Sequence, residues 1–523
     1  TSPAAPLGLS SDTQTSTSVT LSWSASVVSG GSAVTSYKVY RNDGSSAGAA
    51  LSSTAAAETA DGSTTTATLS DLSPGLLYSF AVSAVSAAGE GDQSSVLAQS
   101  SSPGAPASGP TSVHQTSTSI SLDWSAPSSD GSSGDDASGY RLYNVAGEPA
   151  VLLYAGAESA YEQVGLTAGT SYSYAVSAVS AAGESPSTST LVQYTAPAAP
   201  TGLSSSGWTT SGFDVTWVAP AVGDGPAVTG YTLYERVTYE MADVGSAGGV
   251  PDNVLQTMLT QSIDTVVVDT VAYDGSASTD LTTSLSGLSG GVSYDYVVAA
   301  RSSAGEGDRS TALSVSTSPP APGSLASVSQ TTSSITLSWS APAVTTGSAV
   351  TGYKLYVDNG VTGSPSTVVT CSGGALDTTC TASGLDGGVS YSFEVSALST
   401  TGESDRSSLL AQSTAPAAVA GTMTFSSVTT TSMVLEWTAP SGATPTGYMV
   451  YRDDGDSQTP SIVVFDGNAL TATVSGLTGG TSYRYMVAAL SAAGVGDVSG
   501  LSTQSTSPAA PLGLSSDTQT STS

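Results

Sequence analysis

The chain has 523 residues, 41 acidic and 10 basic, for a net charge of −31. Nucleic acid and anionic membrane surfaces are therefore poor partners, because their phosphates would be repelled. Only 10% of residues are charged, and Ser, Thr, Ala, Gly and Val dominate. With β-branched residues at regular positions, this is a solvated β surface over small cores, not disorder. No apolar run reaches the roughly 18 residues of a membrane span. The opening TSPAAPLGL lacks the basic and apolar regions of a signal peptide, so targeting information is expected elsewhere.

In chain order, five stretches open on a Pro-containing connector: TSPAAP at 1–6, SPGAP at 102–106, APAAP at 196–200, SPPAP at 318–322 and APAAVAG at 415–421. Pro fixes φ, so these are short and stiff. A strand ending in Trp follows each connector: Trp23, Trp124, Trp217, Trp339 and Trp437. One large aromatic per stretch predicts the centre of a core. A Gly/Ser/Pro loop leads to a second strand, YKVY at 37–40, YRLY at 140–143, YTLY at 231–234, YKLY at 353–356 and YMVY at 448–451. Next comes a Leu with a Tyr six residues on: Leu72/Tyr78, Leu166/Tyr172, Leu288/Tyr294, Leu385/Tyr391 and Leu477/Tyr483. That spacing predicts a tyrosine corner, whose hydroxyl bonds back to the upstream backbone where the chain changes sheets. Each Tyr opens an apolar series of period two, such as Tyr78, Phe80, Val82 and Ala84, so one strand face is predicted buried. A Gly eleven positions after each Tyr predicts a turn.

The order of Pro connector, Trp strand, Tyr-x-x-Tyr strand and Leu–Tyr corner resembles fibronectin type III modules over essentially the whole chain. The resemblance implies an all-β fold, a linear array of five fibronectin type III-like (immunoglobulin-like) β-sandwiches. The boundaries predicted are 1–102, 103–196, 197–317, 318–415 and 416–505, with 506–523 beginning another unit. Adhesive members carry Arg-Gly-Asp in the loop after the Tyr strand. Here that loop reads GEGDQ, GESPS, GEGDR, GESDR and GVGDV, so no integrin-type function carries over.

Residues 506–523 repeat residues 1–18 letter for letter, at an offset of 505, while the domains between have diverged. The expectation is a long array built from 505-residue units. With sandwich strands rising about 3.3 Å per residue, each domain should be roughly 30–35 Å long and each unit roughly 150–175 Å.

Successive core Trp residues are 101, 93, 122 and 98 apart, so the third domain holds an insertion, placed at 235–280. Within it Val254, Leu255, Met258, Leu259 and Ile263 fall near helical spacing, with Asp252 as N-cap. The insertion is either a lengthened hairpin or short helix on its own domain, or a contact surface for a neighbour. Trp208 stands where the other domains have Gln14, Gln115, Gln330 and Val428. Its ring suits either an interdomain or sugar contact, or partial burial against its own loop.

Cys371 and Cys380 flank a Gly-containing loop. A local disulfide in an oxidising compartment is expected, the alternative being two free thiols in the cytosol. His114 is the only histidine, expected to be exposed, so no Ser-His-Asp or Cys-His arrangement can recur in the other four domains. The acidic loops at 130–136 and 453–457 either hold Ca²⁺ through clustered oxygens or are solvated turns. No other cofactor is indicated, and no enzymatic activity is expected in this segment. No Asn begins a sequon, but the Ser/Thr-rich, Pro-containing connectors suit O-linked glycans, with unmodified linkers as the alternative. The leading expectation is an extracellular or cell-surface filament whose partner is itself. The rival is a spacer array in a secreted polysaccharide-degrading enzyme or adhesin.

Overall fold

The computed structural model describes residues 1–513 other than 29, 45–48, 129–136, 241–249, 262–264, 362, 372, 443, 456–458 and 512. In the first domain, β1 (Leu7–Gln14), β2 (Val19–Ser24) and β5 (Thr66–Leu69) form one sheet, with β2 central. The other sheet runs β4 (Ala57–Glu58), β3 (Val34–Arg41), β6 (Leu77–Ser86) and β7 (Gly89–Gln93), and β8 (Leu97–Ser100) also pairs with β6. All pairings are antiparallel. Alternate residues of β2, β3 and β6 face inward: Val19, Leu21 and Trp23 meet Tyr37, Val39, Tyr78, Phe80 and Val82 in one core. A three-stranded and a five-stranded sheet recur in the same order four more times.

Each core holds the same aromatic pair, edge-on in four domains and tilted in domain three. Trp23–Tyr37, Trp124–Tyr140, Trp217–Tyr231, Trp339–Tyr353 and Trp437–Tyr448 have ring centroids 5.5, 5.8, 5.5, 5.4 and 5.8 Å apart. Such pairs add to the area each ring buries. The predicted tyrosine corner forms in all five domains. The amides of Ser73, Thr167, Ser289, Asp386 and Thr478 donate to the hydroxyls of Tyr78, Tyr172, Tyr294, Tyr391 and Tyr483 at 2.8 to 2.9 Å. Between each pair lies a glycine at φ of 62° to 73° (Gly75, Gly169, Gly291, Gly388 and Gly480), a conformation that Cβ-bearing residues resist.

The structure corrects one detail of β6. Its middle is buried on both faces, because Ala81 and Ser83 on the outer side are as inaccessible as Phe80 and Val82. Tyr40 and Ser83 both bond to Glu90 of β7, which places a polar cover over that face. The glycine eleven residues after the Tyr opens the next strand, as Gly89 does at φ 109°.

The insertion in domain three is a long hairpin capped by a helix. Strands Gly230–Glu240 and Thr265–Gly275 pair from Tyr231↔Gly275 to Glu240↔Thr265. Each has 11 residues, where the corresponding strands of domain two have 6. Helix α1 (Asp252–Gln261) stands against the returning strand. Asp269, its side chain 5% exposed, joins the two strands through a bidentate pair with Arg236 (2.8 and 2.9 Å) and also pairs with Arg309 of the strand Gly305–Arg309. The Arg309 guanidinium also lies 4.1 Å from the Tyr234 ring centre.

The chain divides into two compact units. One holds Thr1–Leu203, Thr216–Thr282 and Tyr296–Leu313; the other holds Ser204–Val215, Thr283–Asp295 and Ser314–Ser523. Among the described residues no helix is long and apolar enough to cross a membrane.

Candidate functional site

Connectors are tied to the tyrosine corners. The hydroxyls of Ser101, Thr195, Thr317, Thr414 and Thr506 donate to the carbonyls of Ser73, Thr167, Ser289, Asp386 and Thr478 at 2.6 to 2.8 Å. One residue on, Ser102, Ala196, Ser318, Ala415 and Ser507 accept from the amides of the corner glycines Gly75, Gly169, Gly291, Gly388 and Gly480. The chain therefore leaves each domain along the same line, clamped to that domain's corner.

Successive domains meet there through three recurrent contacts. The first joins a hydroxyl in the turn before the Trp strand to the Asp of the next domain's Gly-x-x-Asp segment. Ser117 donates to Asp308, Thr210 to Asp405, and Thr332 to Asp497, the last at 2.6 Å. Pro186 occupies the Asp position in domain two, and this bond is absent between domains one and two among the described residues.

The second contact caps the corner-glycine carbonyl. Gly169 accepts from Gly223 and Gly225 (3.2 and 2.9 Å), and Gly291 from Thr345 and Gly347 (3.3 and 3.1 Å). Asp224 adds a bond to the Ser171 amide at 3.0 Å, and the Ser171 hydroxyl and amide hold its carboxyl below the usual range. The third runs from the connector to the residue before the next domain's Gly: Ser102 to the Ala182 carbonyl and Ser318 to the Thr401 carbonyl, both 3.0 Å. Sequence reasoning passed over these pairs. Their signal in the sequence is the recurrent Thr/Ser of one turn and the Asp of the Gly-x-x-Asp segment.

A polar cluster covers the outer face of four domains. Glu90 accepts from Tyr40, Ser83 and Lys38; Glu184 from Tyr143, Ser177 and Arg141; Glu403 from Tyr356, Ser396 and Lys354. In domain three Glu306 accepts from Tyr234 and pairs with Arg301. Burial pushes the Glu403 carboxyl up, but the bonds from Lys354, Ser396 and Tyr356 outweigh it and hold it at about 2. Val495 takes the Glu position in domain five.

The residues singled out from sequence fall in separate places. Cys371 and Cys380 are joined in a disulfide. Trp208 is 39% exposed, and its indole N–H donates to Ser205 at 3.2 Å. Gln14, Gln115 and Gln330 bond in the same way to Ser11, Ser112 and Ser327, three residues earlier. Trp208 thus reproduces the bond that Gln makes elsewhere. Val254 and Met258 are buried at 5% and 0% exposure, and Leu255 is half-buried. Buried side chains are not available to a partner, so this part of the helix serves domain three. The side chains of Asp252 and Leu259, and residue Ile263, lie outside the described residues.

His114 is exposed on its strand. The acidic loop at 130–136 lies outside the described residues, as do 456 and 457 of the other. Asp453 is 1% exposed and engaged by the amide and guanidinium of Arg484, at 3.0 and 3.2 Å, so its carboxylate serves an ion pair. Among the described residues no cluster of three His, Cys, Asp or Glu is placed to hold a metal.

The fibronectin type III domain family matches residues 4–100, 104–194, 198–316, 319–413 and 415–505. The chain belongs to that family. Exoglucanase B of Cellulomonas fimi is 30% identical over 64% of this chain and 27% of its own length. Chitinase A1 of Niallia circulans is 33% identical over 39% of this chain and 24% of its own length. Receptor-type tyrosine-protein phosphatase F of Bos taurus is 27% identical over 83% of this chain and 23% of its own length. The chain thus spans about a quarter of the relatives it matches. Type III domains are a scaffold shared by enzymes and receptors, so the domain itself does not choose among their functions.

Proposed function

We propose that this type III array is a structural repeat unit of an extracellular or cell-surface filament, associating with further copies of itself and carrying no catalytic centre in this segment. The observation that carries the reading is the letter-for-letter return of residues 1–18 at 506–523. Domains within the unit have diverged, so eighteen identical residues at an offset of 505 mark duplication of a larger unit. Repeats that contact only their neighbours extend in one dimension. The Cys371–Cys380 disulfide suits an oxidising compartment outside the cell. The acidic surface disfavours aggregation between filaments, and the Ser/Thr- and Pro-containing connectors are sites for O-linked glycans.

The similarity to an exoglucanase and a chitinase favours a second reading. In it the array is the spacer of a secreted polysaccharide-degrading enzyme whose active module lies elsewhere. Immunogold labelling of native extracellular material with antibodies to domain three separates the two. The filament reading expects gold at a regular spacing along fibres. Label confined to soluble, polysaccharide-bound enzyme would replace it with the spacer reading.

A further inference from the structure

Both halves of one more junction are present in this chain, at opposite ends. At the end of domain five, the Thr506 hydroxyl donates to the Thr478 carbonyl, and the Ser507 amide to the Thr429 carbonyl at 3.0 Å. The Gly480 amide donates to the Ser507 carbonyl at 3.1 Å. Ser318 makes the same pair of backbone bonds, to Thr209 and Gly291, where the chain passes from domain three to domain four. At the start of domain one, the same connector sequence enters as it does elsewhere. A Cβ on Gly91 would stand 2.2 Å from the Pro3 carbonyl, matching 2.1 Å for Gly307 with Pro197 and 2.2 Å for Gly496 with Pro416. Residues 506–511 and 1–6 are the same six letters, so exit and entry belong to one connector.

The side chains that bridge domains elsewhere are also present. Thr430 stands at the position of Thr210 and Thr332, and Asp92 at that of Asp405 and Asp497. Both are exposed, and neither makes a side-chain hydrogen bond among the described residues. Gly31 lies eight residues after Trp23, as Gly347 does after Trp339, and Ala88 precedes Gly89 as Thr401 precedes Gly402.

We infer that the far pole of domain five is a docking surface for domain one of a second copy of the unit, with Thr430 donating to Asp92 across the contact. The Gly480 carbonyl accepts from the Gly31 amide, and the Ser507 hydroxyl, which donates to the Val428 carbonyl at 3.2 Å within this chain, turns to the Ala88 carbonyl. Of the junctions within the unit, only that between domains three and four shows all three contact types among the described residues. The junction between units repeats it. Copies are thereby held in a defined orientation rather than on a free linker. The inference rests on the tandem reading and adds a specific interface to it.

The test uses two units joined in tandem through the natural connector, with Thr430→Cys in the first and Asp92→Cys in the second. Mild oxidation and peptide mapping should find this disulfide at a rate within about threefold of a Thr332→Cys/Asp497→Cys pair in the same chain. It should form at least tenfold faster than Thr430→Cys paired with Asp12→Cys on the first strand. Equal rates for the Asp92 and Asp12 partners, or cross-linking of the internal pair alone, would overturn the proposal. Thr430→Val supplies a readout free of new thiols. Proteolysis of the inter-unit connector at 507–511 should accelerate several-fold, and an unchanged rate would overturn the proposal. Because the two-unit chain is assembled by design, failure here rejects the interface and leaves the natural copy number to the tandem reading's own test.

Discussion

Thr332 of domain four donates its hydroxyl to the Asp497 carboxylate of domain five at 2.6 Å. The two residues are far apart in sequence: Thr332 lies in the bend before a Trp strand and Asp497 in the short strand Gly494–Val498. Their bond is one of three of its kind, with Ser117–Asp308 and Thr210–Asp405. A charge-assisted bond at a partly exposed site contributes little to the stability of either domain. Its effect is on orientation, since it adds a side-chain constraint to a short Pro connector.

The tyrosine corner is the stabilising counterpart within each domain. Tyr391→Phe leaves the Asp386 amide, now bonded at 2.8 Å, without its acceptor while conserving the buried ring. Domain four should lose about 1–1.5 kcal/mol, read as a shift of one calorimetric transition with the other domains unchanged. A shift below about 0.3 kcal/mol would show that water replaces the hydroxyl at no cost.

Reduction should weaken domain four alone, because the disulfide joins Cys371 and Cys380 within it. A loop this short is worth about 2–3 kcal/mol on the chain-entropy account. Calorimetry with and without reductant measures the change. Mass spectrometry that found both thiols free in the native protein would remove both the effect and the argument for an oxidising compartment.

Glu403 makes domain four acid-sensitive. Its folded value, about 2, lies below its ordinary 4.5. The contribution is therefore complete above pH 4.5 and is lost as pH falls toward 2. The side chain is 31% exposed, so solvent screening limits the contribution to about 1 kcal/mol. Glu403→Gln should show that deficit at neutral pH, and the gap from wild type should close in acid. A gap independent of pH would mean that packing, not charge, is responsible.

Met258→Ala distinguishes the roles of the inserted helix. With Met258 fully buried, truncation should cost domain three about 2–4 kcal/mol and leave association between copies unchanged. Unchanged stability with impaired assembly would return the helix to the role of contact surface.

The elements most legible in the sequence were those set by a repeated local requirement. Trp23 and its counterparts mark the cores, and the Leu72–Tyr78 spacing marks a corner that the backbone can close in only one way. The outer face of β6 was not legible, because Ser83 reads as a solvent-facing residue until Glu90 and Tyr40 fold over it. Trp208 was read by its size, whereas its N–H to Ser205 bond is what fits it to the position held elsewhere by Gln. Val254 and Met258 showed helical spacing, but periodicity does not say whether an apolar stripe faces its own domain or a partner. The junction pairs were hidden for a different reason. Ser, Thr and Asp are common in loops and at strand ends, and a bond such as Thr210–Asp405 is defined only where the two domains touch.

As proposed, this chain carries one unit of a tandem structural array. The most direct measurement is the sequence of the complete coding region, checked against the intact mass of the native protein. Several 505-residue units joined head to tail are expected, each beginning TSPAAPLGL, with mass rising in whole units. A single unit joined to a catalytic or carbohydrate-binding module would contradict it and assign the array to spacing an enzyme.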